Sequence, residues 1–307
     1  MSESSLSQPR LKKSRWQNLI ENPITLKELR GRMRGTRAFV VLTTYLMLVG
    51  GFVFLIYLLN SVNNPSSNDA RFAGQAVFFT VVAIQAFVVI FMAPAFTSGT
   101  ISGEKERQTF ELLRTTLLSP ESFVIGKAIS ALSYVFLLLF SSIPLISIAF
   151  MIGGVSWEEV IISQALLVVG SITFAMLGLY FSSRMKTTLG ATIATYLTTF
   201  IVIVGIPLVA LFSAAIIGPL TLLSNTDWFE AFLAYAGVIL STTNLPATMI
   251  ISEAFLLTEN AVWGFSTGFS PNYWVPSPWY GCLIVYGFFA WVFFRWTVKR
   301  VEKIADE

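Results

Sequence analysis

The sequence has no histidine and a single cysteine, Cys282. Without an imidazole there is no His-based metal centre and no His-based catalytic triad. One thiol can form neither an internal disulfide nor a multi-thiolate metal site. Charge is also scarce: Asp, Glu, Lys and Arg make up 12% of the 307 residues, against about 25% in soluble chains. So little charge cannot cover a water-facing surface, which excludes a soluble globular enzyme. It equally excludes a disordered chain or a nucleic-acid binder. The phosphate-cradling pattern G-x-x-x-x-G-K-[ST] is missing as well. Gly126-Lys127 is followed by Ala128 and has Glu121 where the first glycine belongs, while Gly99 and Gly103 stand at the wrong spacing. The chain has no recognisable nucleotide site of its own.

What the chain has in excess is apolar residues, 55% of the total. A helix crossing roughly 30 Å of hydrocarbon needs about 20 of them. Five runs contain no Asp, Glu, Lys or Arg: 38–60, 73–97, 128–152, 160–182 and 188–216. A sixth, 279–298, reaches spanning length by running past Arg295. The fold class expected is therefore an all-α polytopic membrane protein with one six-span domain over 38–298. It is flanked by an N-terminal segment, 1–37, and a tail, 299–307. Residues 1–37 lack the apolar core of a signal peptide, so the first span is expected to stay as an anchor.

Lys and Arg concentrate in cytoplasmic loops. Counted segment by segment between the six spans, they run 9, 1, 4, 0, 2, 0, 4. The alternation puts both termini in the cytoplasm. A seventh span at 228–257 would reverse the last four basic residues and is rejected. The segment 217–278 is instead expected to be re-entrant or to lie on the outer face. Asn244 and Pro246 permit a broken helix there if protein shields the backbone. Trp228, Phe229, Trp263, Phe265, Tyr273, Trp274, Trp279 and Tyr280 suit an aromatic belt at that interface.

The spans lack the intramembrane acid or base that ion-coupled carriers use. Their polar content is Gln75, Gln85, Gln164 and scattered Ser and Thr, which more often bond their own backbone or pack between helices. No energy source is visible inside the membrane part.

Two elements beside the spans stand out. In the first, before span one, Asn22 can cap a helix and Pro23 fits its first turn. Ile24, Leu26, Leu29 and Met33 alternate with Lys27, Glu28, Arg30, Arg32 and Arg34, as in a short interfacial helix. A plain basic anchor would look the same. The second is the loop between spans two and three. Glu104 and Glu106 fall in the first turn of a helix expected over 103–118, where the dipole favours them. Phe110, Leu113 and Leu117 form one apolar face, and Ser119 can cap the next helix ahead of Pro120. The simple reading is a helix on the lipid surface; the sharper one is a docking surface for a partner.

That loop resembles the permease subunits of type-2 ABC exporters, whose pattern I-x-x-E-x-E-x-G-T-L-E-L-L-x-x-T-P-L-S precedes a Gly-Lys. Here it reads Ile101 to Leu113 as ISGEKERQTFELL, then Thr116-Leu117-Leu118-Ser119, then Gly126-Lys127, with Gln108 in place of the usual glycine. Asn22-Pro23 and Lys27-Glu28-Leu29-Arg30 are similar to the family's elbow helix, and the six-span layout matches. The resemblance implies a permease pairing with a second, identical or homologous permease, above two separate ATP-binding subunits. ATP and Mg would sit on those subunits, with no cofactor or metal in this chain. It implies a coupling helix whose Glu104, Glu106, Arg107, Phe110, Glu111, Leu113 and Arg114 meet the ATPase, braced by Lys27, Glu28 and Arg30 of the elbow. It also implies a substrate path near spans two and five, where this chain offers Gln75, Phe78, Phe79, Gln85, Thr195, Tyr196, Thr199 and Phe200. Aromatic residues at helical spacing are more often core; as a path they would suit an apolar or amphipathic substrate. A prokaryotic cytoplasmic membrane is the location implied. Two further classes fit the same features. One is an ABC-like membrane subunit of a mechanical or regulatory complex, the other a passive channel or scaffold.

Overall fold

In hydrocarbon a backbone must bond to itself, and a helix does so within one segment. Long uncharged runs therefore become helices whatever their β-branched content. The computed structural model describes residues 36–63, 69–108, 119–221, 227–259, 262–266 and 274–306. The interfacial element with Lys27, Glu28 and Arg30 lies outside those residues. So do Phe110, Glu111, Leu113 and Arg114.

Six helical stretches are long and apolar enough to cross a membrane. Span one is α1 (Thr36–Asn63) and span two is α2 (Asp69–Thr97), followed after a turn by the short α3 (Ser102–Glu106). Span three is α4 (Pro120–Ser141) and α5 (Ile143–Ile152); span four is α6 (Trp157–Arg184). Span five is α7 (Thr188–Phe200), a π-helical turn (Ile201–Gly205) and α8 (Ile206–Thr221). Two shorter helices, α9 (Asp227–Thr242) and α10 (Leu245–Glu259), precede span six, α11 (Pro278–Asp306).

The expected spans are all present, with shifted ends. Span three begins at Pro120, not at residue 128. Ser119 caps it as expected, accepting from the Ser122 amide, and Glu121 and Lys127 lie inside the helix. Span six runs on through Lys299 and Lys303. Two spans are irregular where the sequence reads as continuous: span three breaks at Ser142, just before Pro144, and span five carries the π turn. Residues 217–278 also hold a two-stranded antiparallel pair, β1 (Gly264–Ser266) and β2 (Trp274–Pro276), with Phe265 opposite Val275. An all-helical expectation misses it.

Span four is the central helix, packed against α2, α4, α7, α10 and α11. The main core joins Val89 and Ala93 of span two, Leu139 of span three, Leu166, Leu167 and Phe174 of span four, and Tyr286 of span six. Gly178 in span four makes this packing possible. A Cβ there would collide with the Thr97 hydroxyl, so only glycine lets the end of span two lie against span four.

Candidate functional site

The loop after span two is where three consecutive residues of alternating charge reach three different spans. Pressed against Gly178, the chain turns so that the Ile101 and Ser102 amides both donate to the Ser182 hydroxyl of span four, at 2.9 and 3.0 Å. Ile101 is fully buried in a small core with Phe123, Val124 and Leu179. Glu104 then accepts from Lys127 of span three at 2.5 Å, with Lys127 almost wholly buried. Lys105 donates to the carbonyls of Ser183 and Met185, at the C-terminal end of span four. Glu106 accepts from the Thr188 amide at 2.9 Å and the Thr188 hydroxyl at 3.0 Å, at the N-terminal end of span five. A cation at a helix C-terminus and an anion at a helix N-terminus each complement the helix dipole, for about 0.3–1 kcal/mol apiece. This element is an internal clamp on spans three, four and five.

The clamp changes the reading of the loop. Glu104 and Glu106, expected as contacts to a partner, have partners inside the chain; Arg107 is exposed. The helix expected over 103–118 is interrupted early. It ends at Glu106, and Gln108 takes a left-handed backbone conformation, φ 56°. Its remainder lies outside the described residues.

A groove of about 720 Å³ runs between span two, span five and α10. Its walls include Phe79, Phe87 and Phe91, then Tyr196 and Phe200, with Met249 at one end. Of the path residues expected from the sequence, Phe79, Tyr196, Thr199 and Phe200 line it. The others do not. Gln75 donates to the Gly154 carbonyl and holds the turn between spans three and four. Gln85 is fully buried; it donates to Ser142 and Leu139 at the break in span three and accepts from Gln164. Thr195 is buried and bonds the Ala191 carbonyl of its own helix. Phe78 is core beside span one. Tyr196 does more than line the groove. Its hydroxyl donates at 2.8 Å to the Phe91 carbonyl, three residues before Pro94 within span two.

The floor of the groove is set by the break that Asn244 and Pro246 mark, pressed against a partner that no local pattern names. The turn between α9 and α10 inserts its apex against the middle of span five. Asn244, 3% exposed, donates both amide hydrogens to the Val202 and Ile203 carbonyls of the π turn, at 3.1 and 2.9 Å. Its carbonyl oxygen accepts from the Ala247 amide and caps α10. On the other side, the Tyr286 hydroxyl of span six accepts from the Leu245 amide and donates to the Thr243 carbonyl. The side chains of two elements thus satisfy a broken backbone, which is the condition for irregular structure at membrane depth. Helices α9 and α10 are each too short to span, and they pack against each other as a helical hairpin.

Where α10 rises from this apex, Glu253 faces Glu159 of the first turn of span four across a small cavity. The sequence reading treats both residues as lying outside the spans. They are separated by 93 intervening residues, and only the hairpin brings them together. Compared with known proteins, the chain matches no family model and no curated sequence.

Proposed function

We propose that the chain is the membrane permease subunit of an ATP-driven ABC transporter of exporter type. Two separate ATP-binding subunits would bind ATP and Mg, and a second permease would pair with this one in a cell membrane. The observation that carries this reading is the clamp. The loop after span two is bonded to spans three, four and five through Glu104, Lys105, Glu106 and Ser182. A force applied to residues 107–118 would therefore reach four spans at once. A transporter with no nucleotide site in its own sequence needs such a transmission element. The groove between spans two and five supports an apolar or amphipathic substrate, since its walls are almost entirely aliphatic and aromatic. The second permease would close its open side.

The clamp also dictates the test. Charge reversal at Glu104 or Glu106 would break internal bonds and confound loss of a partner with loss of fold. Arg107→Glu combined with Arg114→Glu leaves those bonds alone. The chain is purified from native membranes in mild detergent and analysed by mass spectrometry. A P-loop ATPase is expected with the wild type and absent from the double variant, whose thermal unfolding stays unchanged. If no ATPase accompanies the wild type under conditions that preserve other membrane complexes, the reading fails and a passive channel or scaffold takes its place.

A further inference from the structure

We propose that Glu159, Glu253, Ser163 and Ser252 form a binding site for one divalent metal cation of the Ca²⁺ type, tying the helical hairpin to span four. The proposal stands apart from the permease reading.

The cavity these residues line is about 30 Å³, room for a single ion or water and too small for an organic group. Two of its polar atoms lack a partner among the described residues: Oε2 of Glu159, a residue 6% exposed, and Oγ of Ser252, a residue 2% exposed. Leaving such atoms buried and unbonded is costly, so an occupant that bonds both is expected. The Ser163 hydroxyl donates its proton to the Val160 carbonyl at 3.0 Å, which keeps its lone pairs available. The four polar side chains all offer oxygen, beside the Met249 thioether in the wall, and oxygen-dominated sites select hard cations over those that prefer nitrogen or sulfur.

Charge fixes the valence. Two carboxylates, Glu159 buried and Glu253 half-buried, face each other, and like charges there raise one another's energy. Among the described residues no basic side chain lies within the cavity wall. Residues 72–104, 128–183 and 217–278 contain no Lys or Arg, and Arg71, at the start of span two, is exposed. One shared proton would cancel one charge and leave the other uncompensated, whereas a divalent ion cancels both. Phe79, Val82 and Met249 wall both this cavity and the groove, so the ion would also hold the groove's floor in place.

The test uses the full chain in zwitterionic nanodiscs, with ⁴⁵Ca²⁺ in equilibrium dialysis. Wild type is expected to bind one Ca²⁺ per chain with a Kd on the order of 10⁻⁴–10⁻³ M, the range of exposed extracellular sites. Glu159→Gln and Glu253→Gln should each weaken binding about tenfold or more, since even an outer-shell partner is worth that much. In EDTA, Glu253→Gln should unfold at or above the wild-type temperature, because the variant relieves a buried repulsion; lost binding is then not lost fold. Ser252→Ala leaves both carboxylates in place and should still weaken binding. Absence of saturable binding in wild type, or undiminished binding in both Gln variants, overturns the proposal.

Discussion

Gln108 shows how a single residue can be legible in kind and hidden in consequence. In the pattern the loop resembles, its position is a glycine, and in the structure its backbone is left-handed at φ 56°. Only glycine adopts that conformation without a steric penalty, which for other residues is about 1–2 kcal/mol. Part of the gain is returned through the greater freedom of glycine in the unfolded chain. Gln108→Gly is therefore expected to stabilise the protein by about 0.5–1 kcal/mol. Reversible unfolding in detergent reads this directly. A loss of stability on introducing glycine would mean that the left-handed turn is not the native conformation. The motif points to the position, while the reason for it needed a backbone angle. Gln75 and Gln85 make the converse case. Polar residues in an apolar span read as candidates for a path, yet each bonds an irregular backbone elsewhere in the bundle.

The hairpin of α9 and α10 and the π turn of span five form a single unit of structure. The π turn sends the Ile206 amide to the Ile201 carbonyl and Pro207 has no N–H, so the Val202 and Ile203 carbonyls lack helical donors, and Asn244 supplies the two hydrogens they need. Asn244→Ala would leave both carbonyls buried and unbonded, at about 1–3 kcal/mol each. The expected result is a loss of about 2–4 kcal/mol, with faster hydrogen exchange at residues 201–206 as the turn loosens. Exchange at the wild-type rate would show that Ile201–Gly205 forms the π turn unaided. Asn244→Asp should be at least as damaging, because a carboxylate would then face two carbonyl oxygens. From sequence, Asn244 and Pro246 mark a break in this segment. They do not say what the break presses against, because its partners lie 41 and 42 residues away in span five and 42 residues away in span six.

At the scale of the whole molecule, hydrophobicity made the spans legible because a long uncharged run in lipid satisfies its own backbone as a helix, so length and charge suffice to find one. The clamp and the acidic pair stayed hidden because each joins residues 23 to 94 positions apart, which no local period reports. Orientation is the global property still resting on the alternation of basic residues, and the structure supplies a clean way to test it. Cys282 is buried, 1% exposed, so a membrane-impermeant maleimide has no background site in the native chain. Cysteines placed singly at Ser66, Ser224 and Ser270 are expected to label from outside intact cells, and one at Ala305 only after permeabilisation. Ser224 and Ser270 flank α9 and α10. If both label from the same side as Ser66, the hairpin enters and leaves the membrane by one face. If they label from opposite sides, α9 and α10 together cross the membrane. The chain would then have seven crossings, and the four basic residues at the end of span six would lie outside.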